Sequence, residues 1–145
     1  GFQGRVLNNS LVSSSNPKYW HQTYDKPRFL YGLHENQELI QELDFVVLLE
    51  GNIDVVTLWQ CGIPAVAKQG GVLSKYQASL IRRYTKNVVD WADNDDAGIK
   101  ASKAQEALLN EFGCEVYKVH SKKYKDANEL YLAEGVSKVR KLIYG

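Results

Sequence analysis

Five apolar residues in succession, Phe45-Val46-Val47-Leu48-Leu49, end abruptly at Glu50-Gly51. A strand with one wet face alternates apolar and polar residues, whereas an unbroken apolar run fits a strand buried on both faces, inside a parallel sheet covered by helices. Parallel strands need long crossovers, so helical patterns must separate the strands. The chain supplies them. Glu35 to Leu43 is expected as a short helix with Leu39, Ile40 and Leu43 on one face. Ile53 to Cys61 is the next helix, closed by Gly62, and Pro64 to Ala67 a second short strand. Ser74 is placed to cap a helix running to about Tyr84. Asn87 to Ala92 reads as the third strand, Ala97 to Phe112 as the longest helix, closed by Gly113, and Cys114 to Val119 as the fourth strand. Asn128 to Glu134 opens another helix, interrupted at Gly135; Val136 to Ile143 reads as a last helix whose partner lies outside this stretch. The expected class is α/β, with a mostly parallel four-stranded sheet between helices.

An acidic cluster follows the third strand: Trp91-Ala92-Asp93-Asn94-Asp95-Asp96-Ala97-Gly98. Crowded carboxylates raise one another's pKa unless a cation or hydrogen bonds compensate. A hard divalent ion such as Mg²⁺ takes oxygen ligands, commonly one or two carboxylates with water and substrate phosphates completing its shell. If the strand continues into the cluster, Asp93 and Asp95 point to the same side and face one ion. Asp96 then suits a helix N-cap or first-turn position. The competing reading is that all three acids simply cap and charge the helix that follows. In open α/β sheets ligands bind off the carboxyl ends of the strands. That rule gathers Glu50, the Gly70-Gly71 turn, Asp93, Asp95 and the loop to Asp126 along one rim.

Composition narrows the class further. At 145 residues, with 44% hydrophobic and 24% charged residues, the chain is about one globular domain. Eighteen basic against 17 acidic residues give a net charge of +1, so any nucleic-acid contact must use a local patch. Such a patch is available before residue 35, in a stretch expected to form short strands and turns. There Arg5, Lys18, Lys26 and Arg28 are interleaved with Phe2, Tyr19, Trp20, Tyr24 and Tyr31, a mixture suited to phosphates and stacked bases. Cys61 and Cys114 lie in no Cys-x-x-Cys spacing and are expected as buried free thiols. His21, His34 and His120 lack ligand spacing and are expected at or near the surface. No apolar run reaches membrane-spanning length and no signal-peptide pattern is read at the start, so the cytoplasm is the expected location. Methionine is absent even at position 1, so the expectation is a piece of something longer.

Glu50 closing one strand and Asp93-x-Asp95 following a later one resembles the TOPRIM domain of primases, topoisomerases and some nucleases. Leu49-Glu50-Gly51-Asn52-Ile53-Asp54-Val55-Val56, Gly4-Arg5-Val6-Leu7, Pro17-Lys18-Tyr19 and Leu30-Tyr31-Gly32-Leu33 are similar to the bacterial DnaG-type primase. The resemblance runs from Gly1 to about Leu132. It implies a small basic N-terminal α+β part of the polymerase core at 1–40, a TOPRIM domain at 41–135 and the start of a helical segment at 136–145. It also implies that Glu50, Asp93 and Asp95 are catalytic, and that Glu50, Asp54, Asp93, Asp95 and Asp126 hold Mg²⁺ or Mn²⁺. Nucleotide and nucleic-acid contacts fall on Arg5, Lys18, Lys26, Arg28, Gly70 and Gly71. The implied reaction is metal-dependent synthesis of short RNA primers from ribonucleoside triphosphates on single-stranded DNA. A replicative helicase is the implied partner, through a domain absent from this stretch.

The sequence departs from that family at several points. Asn128 stands where a second aspartate is usual, Trp20-His21-Gln22-Thr23 replaces the usual run after Pro-Lys-Tyr, Gly71 replaces a hydroxyl residue, and Lys68 is unusual for its loop. Another TOPRIM activity, nuclease or topoisomerase, and a non-catalytic module that binds DNA or a partner are the competing functions.

Overall fold

A computed structural model describes residues 3–93, 95–119, 121 and 123–145 of the chain. Its elements in order are β1 (Gln3–Arg5), β2 (Tyr19–His21), α1 (Leu33–Leu43), β3 (Val46–Leu49), α2 (Asn52–Gln60), β4 (Ala65–Ala67), α3 (Lys75–Arg82), β5 (Asn87–Asp90), α4 (Asp96–Glu111), β6 (Glu115–Lys118) and α5 (Ala127–Tyr144). Strands β3 to β6 form one sheet in the order β4-β3-β5-β6, and every pairing in it is parallel. The α/β class is therefore as expected.

All four residues of β3 are buried, and they serve two cores in alternation. Val47 and Leu49 face Val55 and Leu58 of α2 and Ala127, Leu130 and Val139 of α5. Val46 and Leu48 face Ile40 of α1, Ala78 and Ile81 of α3, and Leu109 of α4. The unbroken apolar run is thus explained by a helical layer on each side of the sheet. The edge strand β4 is closed by Tyr31, whose N–H and carbonyl pair with Ala67 at 2.9 and 3.0 Å. Ser74 makes a full capping box with Gln77 at the start of α3.

Two expectations are corrected. Strand β5 ends at Asp90, two residues before the apolar letters run out. Trp91 and Ala92 lie beyond the ladder; Trp91 is apolar because its side chain enters the core, at 2% exposure, with its N–H still held by the Leu48 carbonyl at 3.1 Å. The strand-alternation argument for Asp93 and Asp95 accordingly fails. The second correction concerns the last helix. Gly135 kinks α5 (φ 77°, ψ −179°), yet the segment beyond it finds its partner within this fold. Val139 is fully buried against the α2 face, and Arg140 donates to the Cys61 carbonyl at 3.3 Å.

The short antiparallel pair β1–β2 stands apart from the main sheet. It is tied down by an amide chain, in which Tyr24 donates to Gln69, Gln69 to Asn52 at 2.9 Å, and Asn52 to Gln3. That chain fixes the basic strands against the start of α2. Both cysteines are buried free thiols, and His34 is exposed. Phe2, Asn94, His120 and the side chain of His21 lie outside what the structure describes.

Candidate functional site

The carboxyl ends of β3 and β5 open into a cleft of about 520 Å³. Glu50, Asp54, Asp93 and Asp126 line one wall, and Arg5, Lys18 and Tyr19 from β1–β2 and its approach line the other. Arg5 and Lys18 both lie over the Tyr19 ring, at 5.8 and 5.9 Å from its centre. Acids from three junctions, β3–α2, β5–α4 and the approach to α5, thus meet across a gap from two cations.

Each acid is held by a distinct local device. Glu50 ends β3 and faces the Lys68 ammonium at 3.8 Å. Asp54 sits in the first turn of α2 and accepts from the Asn128 N–H at 3.0 Å, while the Asn128 side-chain oxygen accepts from the Thr57 hydroxyl at 3.0 Å. Gly51 makes room for it, since a Cβ there would lie 2.6 Å from an Asp54 oxygen. Asp93 pairs with Lys125 at 3.5 Å. Asp95 is the N-cap of α4, accepting from Gly98 at 2.8 Å, and Asp126 is the N-cap of α5, accepting from Glu129 at 2.8 Å. Asp96 takes the first-turn position.

The electrostatics are those of crowded, partly dry carboxylates. Burial pushes Glu50 above the usual carboxylate range, with Lys68 opposing and Asp93, Asp95 and Asp90 adding to the rise. Asp93 is raised by burial, with Lys125 opposing and Asp126 and Asp95 adding. Asp54 is pushed up to about 6, chiefly by burial, against the Asn128 hydrogen bond. Lys125 is raised in turn, mostly by Asp93. As the side chains stand, no three acids among the described residues are close enough together to share one ion. The all-oxygen donor set, whose repulsion Lys68 and Lys125 only partly offset, nonetheless suits a hard divalent cation.

The remaining sequence candidates fall outside this cleft. Asp95 does not line it, although its charge is felt by Glu50 and Asp93. Lys26 and Arg28 form a 3-10 turn on the far side of the amide chain. Buried Gln77 pins that turn by donating to the carbonyls of Lys26 and Phe29, and Arg28 lies over Tyr76 at 5.3 Å. Gly70 and Gly71 face open space and line neither the cleft nor the neighbouring hollow around Tyr24, Phe29 and Tyr31. Residues that sequence reasoning passed over are Asp90, Ser102 and Gln105. They form a buried polar cluster behind Glu50, in which Ser102 and Gln105 donate to the two oxygens of Asp90 and Gln105 accepts from Lys68. A signal was present, because Ser102 and Gln105 fall on the inward stripe of α4 with Gly98 and Leu109.

Residues 47–131 match the Toprim-like family. The chain belongs to that family. Beyond the Toprim-like segment the similarity extends over nearly the whole chain. It is 37% identical over 99% of its length to the DNA primase of Aquifex aeolicus, covering 29% of that protein. It is 33% identical over 98% of its length to the DNA primase of Thermotoga maritima, covering 25%. The chain thus spans less than a third of these relatives. Among solved structures, the Aquifex aeolicus primase (zinc-binding and RNA polymerase domains) superposes with a TM-score of 0.85 at 36% identity, over 99% of this chain and 36% of that one. A DnaG primase catalytic domain bound to single-stranded DNA gives 0.84 at 31%, over 99% and 46%. Among the described residues, no helix is long and apolar enough to cross a membrane.

Two variants probe how the Toprim-like site is built. A Cβ on Gly98 would fall 2.2 Å from the carbonyl oxygen of Asp93. Gly98→Ala therefore displaces the acidic loop and costs about 1–3 kcal/mol, read as a lower urea midpoint. The second concerns Asp54. Its folded pKa of about 6 lies above its unfolded value, so the native state binds this proton more tightly. Stability is then fully present below about pH 4, falls as pH rises through about 6, and is lower by about 2–3 kcal/mol above pH 7. Asp54→Asn removes that share of the decline and leaves what the raised Glu50 and Asp93 contribute, which urea melts between pH 4 and 8 in chelator-treated buffer measure.

Proposed function

We propose that the chain is the metal- and nucleotide-holding part of a DNA primase, which joins ribonucleoside triphosphates into short primers on single-stranded DNA. The observation that carries this reading is the cleft itself: Glu50, Asp54, Asp93 and Asp126 face Arg5 and Lys18 across one gap. The similarity to primase catalytic cores over 99% of the chain supports it. Phosphoryl transfer asks a protein for positioning and charge neutralisation more than for covalent chemistry.

In this reading Glu50, Asp54, Asp93, Asp95 and Asp126 hold Mg²⁺ or Mn²⁺, and Glu50, Asp93 and Asp95 are the catalytic group. The ion supplies charge neutralisation at the reacting phosphates and the departing pyrophosphate. Arg5 and Lys18 bind backbone phosphates of the template, with Tyr19 offering a ring for stacking. Lys26, Arg28, Gly70 and Gly71, set outside the cleft, receive the more distant parts of template and nucleotide. Residues 1–40 then serve as the basic part of the polymerase core, 41–135 as the Toprim unit and 136–145 as the start of a further helical segment. A replicative helicase would be met through other parts of the protein, in the cytoplasm.

Titrating Mn²⁺ and Mg²⁺ into the chain, with and without a ribonucleoside triphosphate, tests this. Asp93→Asn with Asp95→Asn is the control, because asparagine keeps the acceptor that caps α4. The reading requires metal binding that nucleotide strengthens and the double variant abolishes. Folded protein that binds no metal with nucleotide present would overturn it.

A further inference from the structure

Lys68 is the one fully buried cation among the described residues, at 2% exposure, and it sits behind the wall that carries Glu50. Lysine is almost never buried to this degree unless paired. Its backbone is fixed at the end of β4. The Lys68 N–H bonds to the Leu49 carbonyl at 3.2 Å, and its own carbonyl accepts from Gln77 at 3.2 Å. The ammonium donates to the Gln105 side-chain oxygen and to the Gly71 carbonyl at 3.3 Å, leaving its nearest carboxylate, Glu50, at 3.8 Å.

The buried acid behind it does not absorb that charge by contact. Asp90, at 1% exposure, takes its two hydrogen bonds from Ser102 and from Gln105, the latter at 2.9 Å. Gln105 therefore stands between ammonium and carboxylate, accepting from one and donating to the other. Both of its amide ends are engaged, which fixes its orientation and so the position of the ammonium. Two of the three ammonium donors go to neutral oxygens, and the remaining direction is toward Glu50.

We propose that Lys68 is a tethered counter-cation for Glu50, a positioning residue that supplies from within the fold positive charge otherwise drawn from dissolved divalent ions. This rests on the reading that Glu50 faces such an ion. A fixed positive charge 3.8 Å from a ligand oxygen competes for that oxygen and repels a second cation through a medium of low dielectric. The chain thus binds divalent metal more weakly, and with less dependence on Glu50, than its acids alone would dictate.

The experiment is Mn²⁺ binding to the chain, followed by the electron-spin resonance signal of free Mn²⁺. Wild type is compared with Lys68→Met, with Lys68→Met plus Asp90→Asn, and with Glu50→Gln alone and combined with Lys68→Met. The double variant with Asp90→Asn removes both buried charges together, so it keeps the test open if Lys68→Met alone leaves Asp90 uncompensated and fails to fold. Each folded variant that lacks Lys68 and keeps Glu50 is expected to bind Mn²⁺ at least about tenfold more tightly than wild type. In the Glu50→Gln background the gain shrinks to under about twofold, because the carboxylate that Lys68 acts on is gone. Unchanged or weaker binding in folded variants overturns the inference and leaves Lys68 as a tie for Gln105. Absence of Mn²⁺ binding in wild type and variants alike removes the metal reading itself, and this inference with it.

Discussion

On the primase reading proposed above, Asp93→Asn in the intact protein is expected to lower primer synthesis on a single-stranded template by about a thousandfold, the scale of losing electrostatic stabilisation of the transition state, here through the ion that Asp93 would hold. Asp93 lines the cleft with a side chain 21% exposed and, among the described residues, pairs with the exposed Lys125 at 3.5 Å. Asparagine keeps its size and one oxygen but not its charge. The fold is expected to survive. Burial holds the Asp93 carboxyl above its usual range, so its charged form is disfavoured where it stands, and removing the charge relieves that cost. The diagnostic result is therefore a split: incorporation of labelled ribonucleotide collapses while the urea midpoint stays level or rises. Loss of both together would mean that Asp93 serves the fold.

A joint loss is expected two residues earlier. Trp91→Ala removes one of the largest fully buried side chains, in the core shared by β3, α2 and α5. Truncations of this size cost about 3–5 kcal/mol. A drop of about 2 M in the urea midpoint is expected. Because the Trp91 N–H also fixes the chain to Leu48 at the point where β5 ends, the loss reaches Asp93 through displaced backbone. Metal binding should weaken in Trp91→Ala even at temperatures where the protein remains folded.

These residues also mark how far the sequence could be read. Helix ends were legible where the signal is local: Ser74 with Gln77, or the glycines at 62 and 113 with their positive φ. The end of β5 was not, because Trp91 is apolar for the sake of tertiary burial and looks the same in the sequence as a ladder residue. Asp95 and Asp96 are adjacent acids before the same helix, and only the direction of the chain after Trp91 decides that Asp95 caps it. The burial of Val139 depended on α2 lying beneath it, which periodicity cannot announce. At the site, the acids were found from their places after strands and from family resemblance, but the cluster of Lys68, Asp90, Ser102 and Gln105 was missed. Its members are scattered over three elements, and each alone passes for a surface residue.

The position of β3 has a consequence for how the protein breathes. With β4 on one side and β5 on the other, no β3 amide can reach water unless the sheet parts along a seam, so this strand belongs to the last unit to open. Glu50 follows that strand directly. Fraying of the termini or of the β1–β2 ribbon can loosen the cation-bearing wall of the cleft while Glu50 keeps its place. Amide exchange slow enough to report global unfolding at Val47 and Leu48 would therefore also report the lifetime of the anchored half of the cleft.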